Sequence, residues 1–214
     1  MKAHRRLILG LLSAALFACA TGTNLGQVVS ESELLAQLVA LNAKGRFDEA
    51  QSKVLAYMKE EPDAAELLYK FVQDLEDNYD HQQERVISII GEALPALEKT
   101  AAPAWVGRFE KLRGVAIIYG RYKKTRKAED LADAKSAFQR AVRLNPNLSE
   151  AHMNLGIINA IQGDAKNSLS SFKKAIQTSG SPDITNAMQE WVAIGERDPD
   201  ELCRMMKTFY FTRK

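Results

Sequence analysis

The sequence predicts an all-α fold, a string of helical hairpins stacked one on the next. Three observations predict it. After residue 30, apolar residues recur at three- and four-residue spacing, the period of a helix, and strand-like alternation is almost absent. Breakers interrupt that pattern at intervals of about 12 to 20 residues: Gly45, Pro62, Asn78, Pro103, Asn145-Pro146, Gly163, Gly180-Ser181-Pro182 and Pro199. Stretches far apart in the chain also repeat the same order of small and large residues.

Residues 1–18 precede the helical pattern. Lys2, His4, Arg5 and Arg6 form a cationic start, and Leu7 to Ala18 is an apolar run of twelve residues. A helix needs roughly 20 residues to cross a bilayer, so this run has the length of a secretory signal's apolar region instead. Residues 19–30 are small and polar and read as a tether. Removing residues 1–18 takes away three basic side chains and no acidic ones, which leaves 26 Lys plus Arg against 27 Asp plus Glu, a net charge of −1. That near-neutral, mixed-sign balance argues against nucleic acid as a partner.

Residues 31–64 form the first expected hairpin, turning at "AKGRFDEA": Gly45 ends one helix, Phe47 packs on the turn, and Asp48 and Glu49 open the next. Residues 65–101 form a second, with "YDHQQE" as its turn and Pro95 bending or ending its second helix. The third has a long first helix, about Ala104 to Tyr122, and a regular second helix ending before Pro146. The connection "KKTRKAEDLA" between them is several residues longer than in the other hairpins. Residues 149–182 form the fourth. Hairpins thus fill residues 31–182, and residues 183–214 hold two closing helices, near 183–195 and 200–211. On the last, Leu202, Met206 and Phe209 share a face that caps the stack; a docking patch around Phe209, Tyr210 and Phe211 is the alternative.

Residues 149–182 resemble the tetratricopeptide repeat of 34 residues. Leu155, Gly156, Ser168, Phe172 and Ala175 occupy its positions 7, 8, 20, 24 and 27. Residues 31–64 match again through Leu38, Gly45, Ala50, Val54 and Pro62, and Ala134, Phe138, Ala141 and Pro146 match a repeat's second half. The resemblance implies a right-handed superhelix with a concave groove lined by the first helix of each repeat. On the family's groove positions, this implies a partner-binding surface made of Leu35, Val39 and Asn42 in the first repeat and Glu150, Met153, Ile157 and Ile161 in the fourth. Members that clamp a C-terminal carboxylate use Lys at position 5 and Asn at 9. Leu35 with Val39, and Met153 with Ile157, do not carry that clamp over. An apolar groove suits an amphipathic helix or an extended apolar segment, unless those residues are simply buried.

Leu16-Phe17-Ala18-Cys19 resembles a bacterial lipobox. That implies cleavage before Cys19 and a lipid on its sulfur, which would hold the chain to a membrane. An ordinary cleaved signal or an uncleaved anchor is the other reading. Ala20, rather than Asp, after the cysteine implies onward sorting to the outer membrane. With Cys19 acylated, Cys203 has no partner for a disulfide and reads as a core thiol.

Chemistry is hard to find. No His or Cys spacing suits a metal, no Gly-rich phosphate loop precedes a Lys, and no nucleophile elbow occurs, so no cofactor and no enzymatic activity are expected. Acidic pairs read as solvated faces and caps. The basic run Arg121, Lys123, Lys124, Arg126 and Lys127 reads as a solvated loop balanced by Glu129, Asp130 and Asp133, or as a contact for anionic headgroups or an acidic partner. The combined expectation is a lipid-anchored periplasmic scaffold that binds a protein partner, similar in architecture to pilotins and outer-membrane assembly lipoproteins. A lipoprotein component of a periplasmic solute transporter, and an envelope hydrolase or its activator, are the alternatives.

Overall fold

The structure is a computed structural model of the chain and describes residues 29–212, together with the side chains of those residues except Asp183 and 209–212. Cys19 and the leader lie outside the described residues.

Four hairpins run in order: α1 (Glu31–Ala43) with α2 (Phe47–Glu60), α3 (Ala65–Asn78) with α4 (Gln83–Thr100), α5 (Pro103–Ile117) with α7 (Ala128–Leu144), and α8 (Ser149–Ile161) with α9 (Ala165–Thr178). A π-helical turn, Ile118–Tyr122, and the short α6 (Lys123–Thr125) lie between α5 and α7. Two helices close the chain, α10 (Pro182–Arg197) and α11 (Pro199–Thr212). No strand occurs among the described residues, and none of their helices is long and apolar enough to cross a membrane.

Local chemistry sets these boundaries. Ser30 opens α1 with a capping box: its Oγ accepts from the Glu33 N–H at 3.3 Å, and its own N–H donates to Glu33 Oε2 at 3.1 Å. Gly45 and Gly163 follow α1 and α8 with φ of +72° and +84°, the left-handed conformation that ends a helix and that glycine adopts without strain. Pro103 and Pro182 stand in the first turn of their helices, where the missing N–H costs nothing.

The third and fourth hairpins each close through an aromatic ring laid on a glycine. A Cβ built on Gly156 would lie 2.5 Å from the Phe172 ring, and one on Gly114 would lie 2.8 Å from the Phe138 ring. Phe172, Phe138, Ala175 and Ala141 are fully buried, as is Ser168, so α8 and α9 approach as closely as the repeat pattern requires. The buried residues form two clusters. The first runs from Leu34 to Ala116, and the second from Ile117 to Met206. They meet within α5.

Pro95, expected to bend or end its helix, does not end it: α4 continues to Thr100. The missing donor falls opposite the carbonyl of Gly91, a residue with open space around it, so the chain can accommodate the ring there. The stretch "KKTRKAEDLA" is not a long loop either. Its first three residues are helical, α7 starts at Ala128, and only Arg126 and Lys127 are non-helical. The extra residues of this hairpin are taken up as helix, with the π turn absorbing the mismatch.

α11 packs on α8, α9 and α10, and Leu202, Cys203 and Met206 are buried in the second cluster. Burial pushes the Cys203 thiol above its usual value. The side chains of Phe209, Tyr210 and Phe211 lie outside the described residues.

Candidate functional site

The first helices of the second, third and fourth hairpins, with α10 continuing the row, wall one cleft. α3 supplies Gln73, Glu76 and Asp77; α5 supplies Lys111, Leu112 and Val115, with Tyr119 from the π turn. α8 supplies Glu150, Met153, Asn154 and Ile157, and α10 supplies Ile184 and Trp191. The cavity is about 420 Å³, within the range of small binding sites.

The cleft has two ends of different chemistry. Glu76, Asp77, Glu150 and Lys111 make a charged end. Lys111 Nζ reaches Glu150 Oε2 at 2.9 Å, and its side chain is 12% exposed. Burial is the largest single influence and works against the lysine's charge, but Glu150, Tyr69 and Glu76 together outweigh it and hold the ammonium above its ordinary pKa. Glu76 is half-buried and has no hydrogen bond or ion pair with a described residue. Burial pushes its carboxyl up from 4.5 to about 7; Lys111 pulls the other way, while Asp77 and Glu150 add to the rise. Met153, Ile157, Val115, Ile184 and Trp191 make the apolar end. Trp191 is held there by Phe172, 5.2 Å between ring centroids, and Tyr119 stands 45% exposed at the rim.

Of the residues expected to line a groove, Glu150, Met153 and Ile157 do line this cleft. Ile157 is only 4% exposed and Ile161 is 8%, so both belong to the packed core of α8 as well. Leu35 and Val39 are half-buried on α1, and neither borders the cleft. Asn42 is buried and its Nδ2 donates to Asp74 Oδ2 at 3.0 Å, fastening α1 to α3.

The basic run is not brought to the cleft as a unit. Arg121 holds Glu84 on α4 with three contacts, Nε donating to Oε1 at 2.8 Å and to Oε2 at 3.1 Å, and Nη2 to Oε2 at 2.8 Å. Lys123 lies over the Tyr119 ring at 5.7 Å and Arg126 over the Tyr122 ring at 6.0 Å. Arg126 itself takes the left-handed conformation, φ +59°, and Lys127 stands before the first turn of α7. Lys124 is exposed and acts on Glu84 at longer range.

Sequence reasoning missed Gln73, Glu76, Asp77, Lys111 and Tyr119, although a signal existed. Counting from Ala65, Gln73, Glu76 and Asp77 fall at positions 9, 12 and 13, the same groove positions used for the other repeats. Setting Gly114 at position 8, as Gly156 is, puts Lys111, Val115 and Tyr119 at 5, 9 and 13. The ring-on-glycine contact in the structure fixes that register. Another buried charge, Glu110, has a structural role: Arg113 Nη2 is 2.7 Å from its Oε2 and Arg140 Nη1 is 2.9 Å from its Oε1. Arg140 also pairs with Glu98, so one guanidinium ties α4, α5 and α7.

No curated protein matches the chain. Among solved structures, MamA is 18% identical, with 80% of this chain and 90% of that one covered and a TM-score of 0.46. TTC0263, a thermophilic TPR protein from Thermus thermophilus, is 22% identical over 85% of this chain and 91% of that one, with a TM-score of 0.48. Residues 126–183, which hold α7, α8 and α9, match the tetratricopeptide repeat family model, and over that stretch the chain is similar to tetratricopeptide-repeat proteins.

Proposed function

We propose that this protein is a lipid-anchored periplasmic scaffold that holds a partner protein in its cleft. The observation that carries the reading is the cleft itself: the first helices of three successive hairpins and α10 converge on one cavity with an exposed aromatic rim. Stacked hairpins present such a surface to a partner, and tetratricopeptide repeats commonly use it so. The leader and the Leu16-Phe17-Ala18-Cys19 pattern support the anchor, and Ala20 supports the outer membrane as its site. A role in assembling an envelope complex would follow from tethering a client beside that membrane.

The test is photo-crosslinking in native membranes from a photoreactive residue placed at the exposed rim position Tyr119, with Met153 kept or replaced by Glu. Met153 is the right residue because it is half-buried at the cleft wall, whereas charging buried Ile157 would disturb the core. One envelope protein crosslinked with Met153 kept and lost in a folded Met153→Glu variant supports the reading. Equal capture by both sinks it. Metabolic labelling with a radioactive fatty acid, lost in Cys19→Ser, tests the anchor separately.

One observation favours a second reading, an envelope hydrolase or its activator: a carboxyl near 7 in a cleft with two further carboxylates suits general acid–base work. Hydrolytic activity on envelope polymers that disappears in Glu76→Gln would establish it.

A further inference from the structure

We propose that the segment held in the cleft carries a lysine or arginine beside a large apolar side chain, the cation seated among Glu76, Asp77 and Glu150. This rests on the reading of the cleft as a protein-binding groove and specifies its occupant. The apolar group sits between Met153, Ile184 and Trp191.

Charge complementarity selects this occupant. The charged end holds three carboxylates against one ammonium, and that ammonium is already bonded to Glu150 at 2.9 Å. A ligand carboxylate would meet an acidic surplus, so the Lys111 at position 5 does not serve as a carboxylate clamp; Val115 also replaces the clamp's Asn at position 9. Glu76 is half-buried and makes no hydrogen bond or ion pair with a described residue; Lys111 acts on it only at longer range, its ammonium being bonded to Glu150. Its burial is costly when charged, and a cation delivered by a ligand offsets that cost without the chain having to supply one. The carboxylates do not group in a way that could hold a metal ion among the described residues, so an elongated organic cation is the better fit. The opposite end has the composition of an anchor pocket, a tryptophan flanked by Met and Ile.

The experiment uses Trp191 as the reporter, in a Trp105→Phe background that leaves it the single tryptophan. The probes are acetylated, amidated twelve-residue peptides on a Gln/Ser/Ala background. Each carries one Phe and one Lys, separated by one to seven residues, with matched peptides having Gln or Glu in place of Lys. At the best spacing the Lys peptide should bind about tenfold more tightly than the Gln peptide, with the Glu peptide weaker still. Glu76→Gln with Asp77→Asn should reduce that preference to about threefold or less; Asp77→Asn alone, at an exposed position, should give part of the loss. Binding that requires Phe but is indifferent to Lys, Gln or Glu at every spacing overturns the inference and leaves the groove reading standing. Binding by none of the Lys peptides overturns the inference as well.

Discussion

Replacing Glu76 by Gln should make the fold less sensitive to pH in one defined window. The carboxyl titrates at about 7 in the folded protein and at 4.5 in its ordinary state. The folded chain therefore keeps a proton that the unfolded chain has released. Its contribution to stability is full below about pH 4.5 and is lost as the pH rises to about 7. At about 1.36 kcal/mol per pH unit, that gap is worth about 3 kcal/mol. Solvent reaching the half-buried group reduces the expectation to about 2 kcal/mol. Gln keeps the shape and never ionises. Urea unfolding followed by circular dichroism at about pH 5 and about pH 8 gives the comparison. Relative to wild type, Glu76→Gln should be about 2 kcal/mol more favourable at the higher pH than at the lower. Other groups cancel in the difference, including His152, whose pKa is lowered by burial and whose own effect runs the opposite way. A wild-type-to-variant difference that is the same at both pH values, within about 0.5 kcal/mol, refutes the burial argument.

Three further outcomes follow from the packing. Gly156→Ala should destabilise by about 1–3 kcal/mol, because its Cβ would fall 2.5 Å from the Phe172 ring; thermal melting checks this, and a neutral result would mean the ring can move aside. Glu110→Ala should cost about 2–4 kcal/mol in urea unfolding, since Arg113 and Arg140 lose their buried partner, while Glu110→Gln should recover part of it. Arg121→Ala should cost less than about 1 kcal/mol in the same assay despite its hydrogen bonds to Glu84, because that pair is 37% and 57% exposed.

Much of the architecture was legible because hairpin repeats write their rules locally. Gly45 and Gly163 mark turns, and the spacing of Gly156 to Phe172 is set by one hairpin's own geometry. The long third hairpin was harder. Gly114 and Phe138 lie twenty-four residues apart instead of the sixteen that separate Gly156 and Phe172, and nothing in the sequence says whether the surplus is loop or helix. The charged end of the cleft was illegible for a different reason. Glu76, Lys111 and Glu150 come from three hairpins, and their meeting depends on how far each hairpin is rotated on the next. Asn42 was illegible too: its position named a groove, but it is buried and bonded to Asp74 of the next hairpin.

The seam between the two buried clusters has its own consequence. α5 gives Val106, Phe109 and Leu112 to one cluster and Ile117 to the other. A stack of this kind melts from its ends, and the junction is where one half can come apart while the other persists. The cleft straddles that junction, with Glu76 on one side and Met153 and Trp191 on the other. An occupant touching both ends would act as a splint. It would couple the two halves more tightly, and occupancy would be readable as a rise in melting temperature.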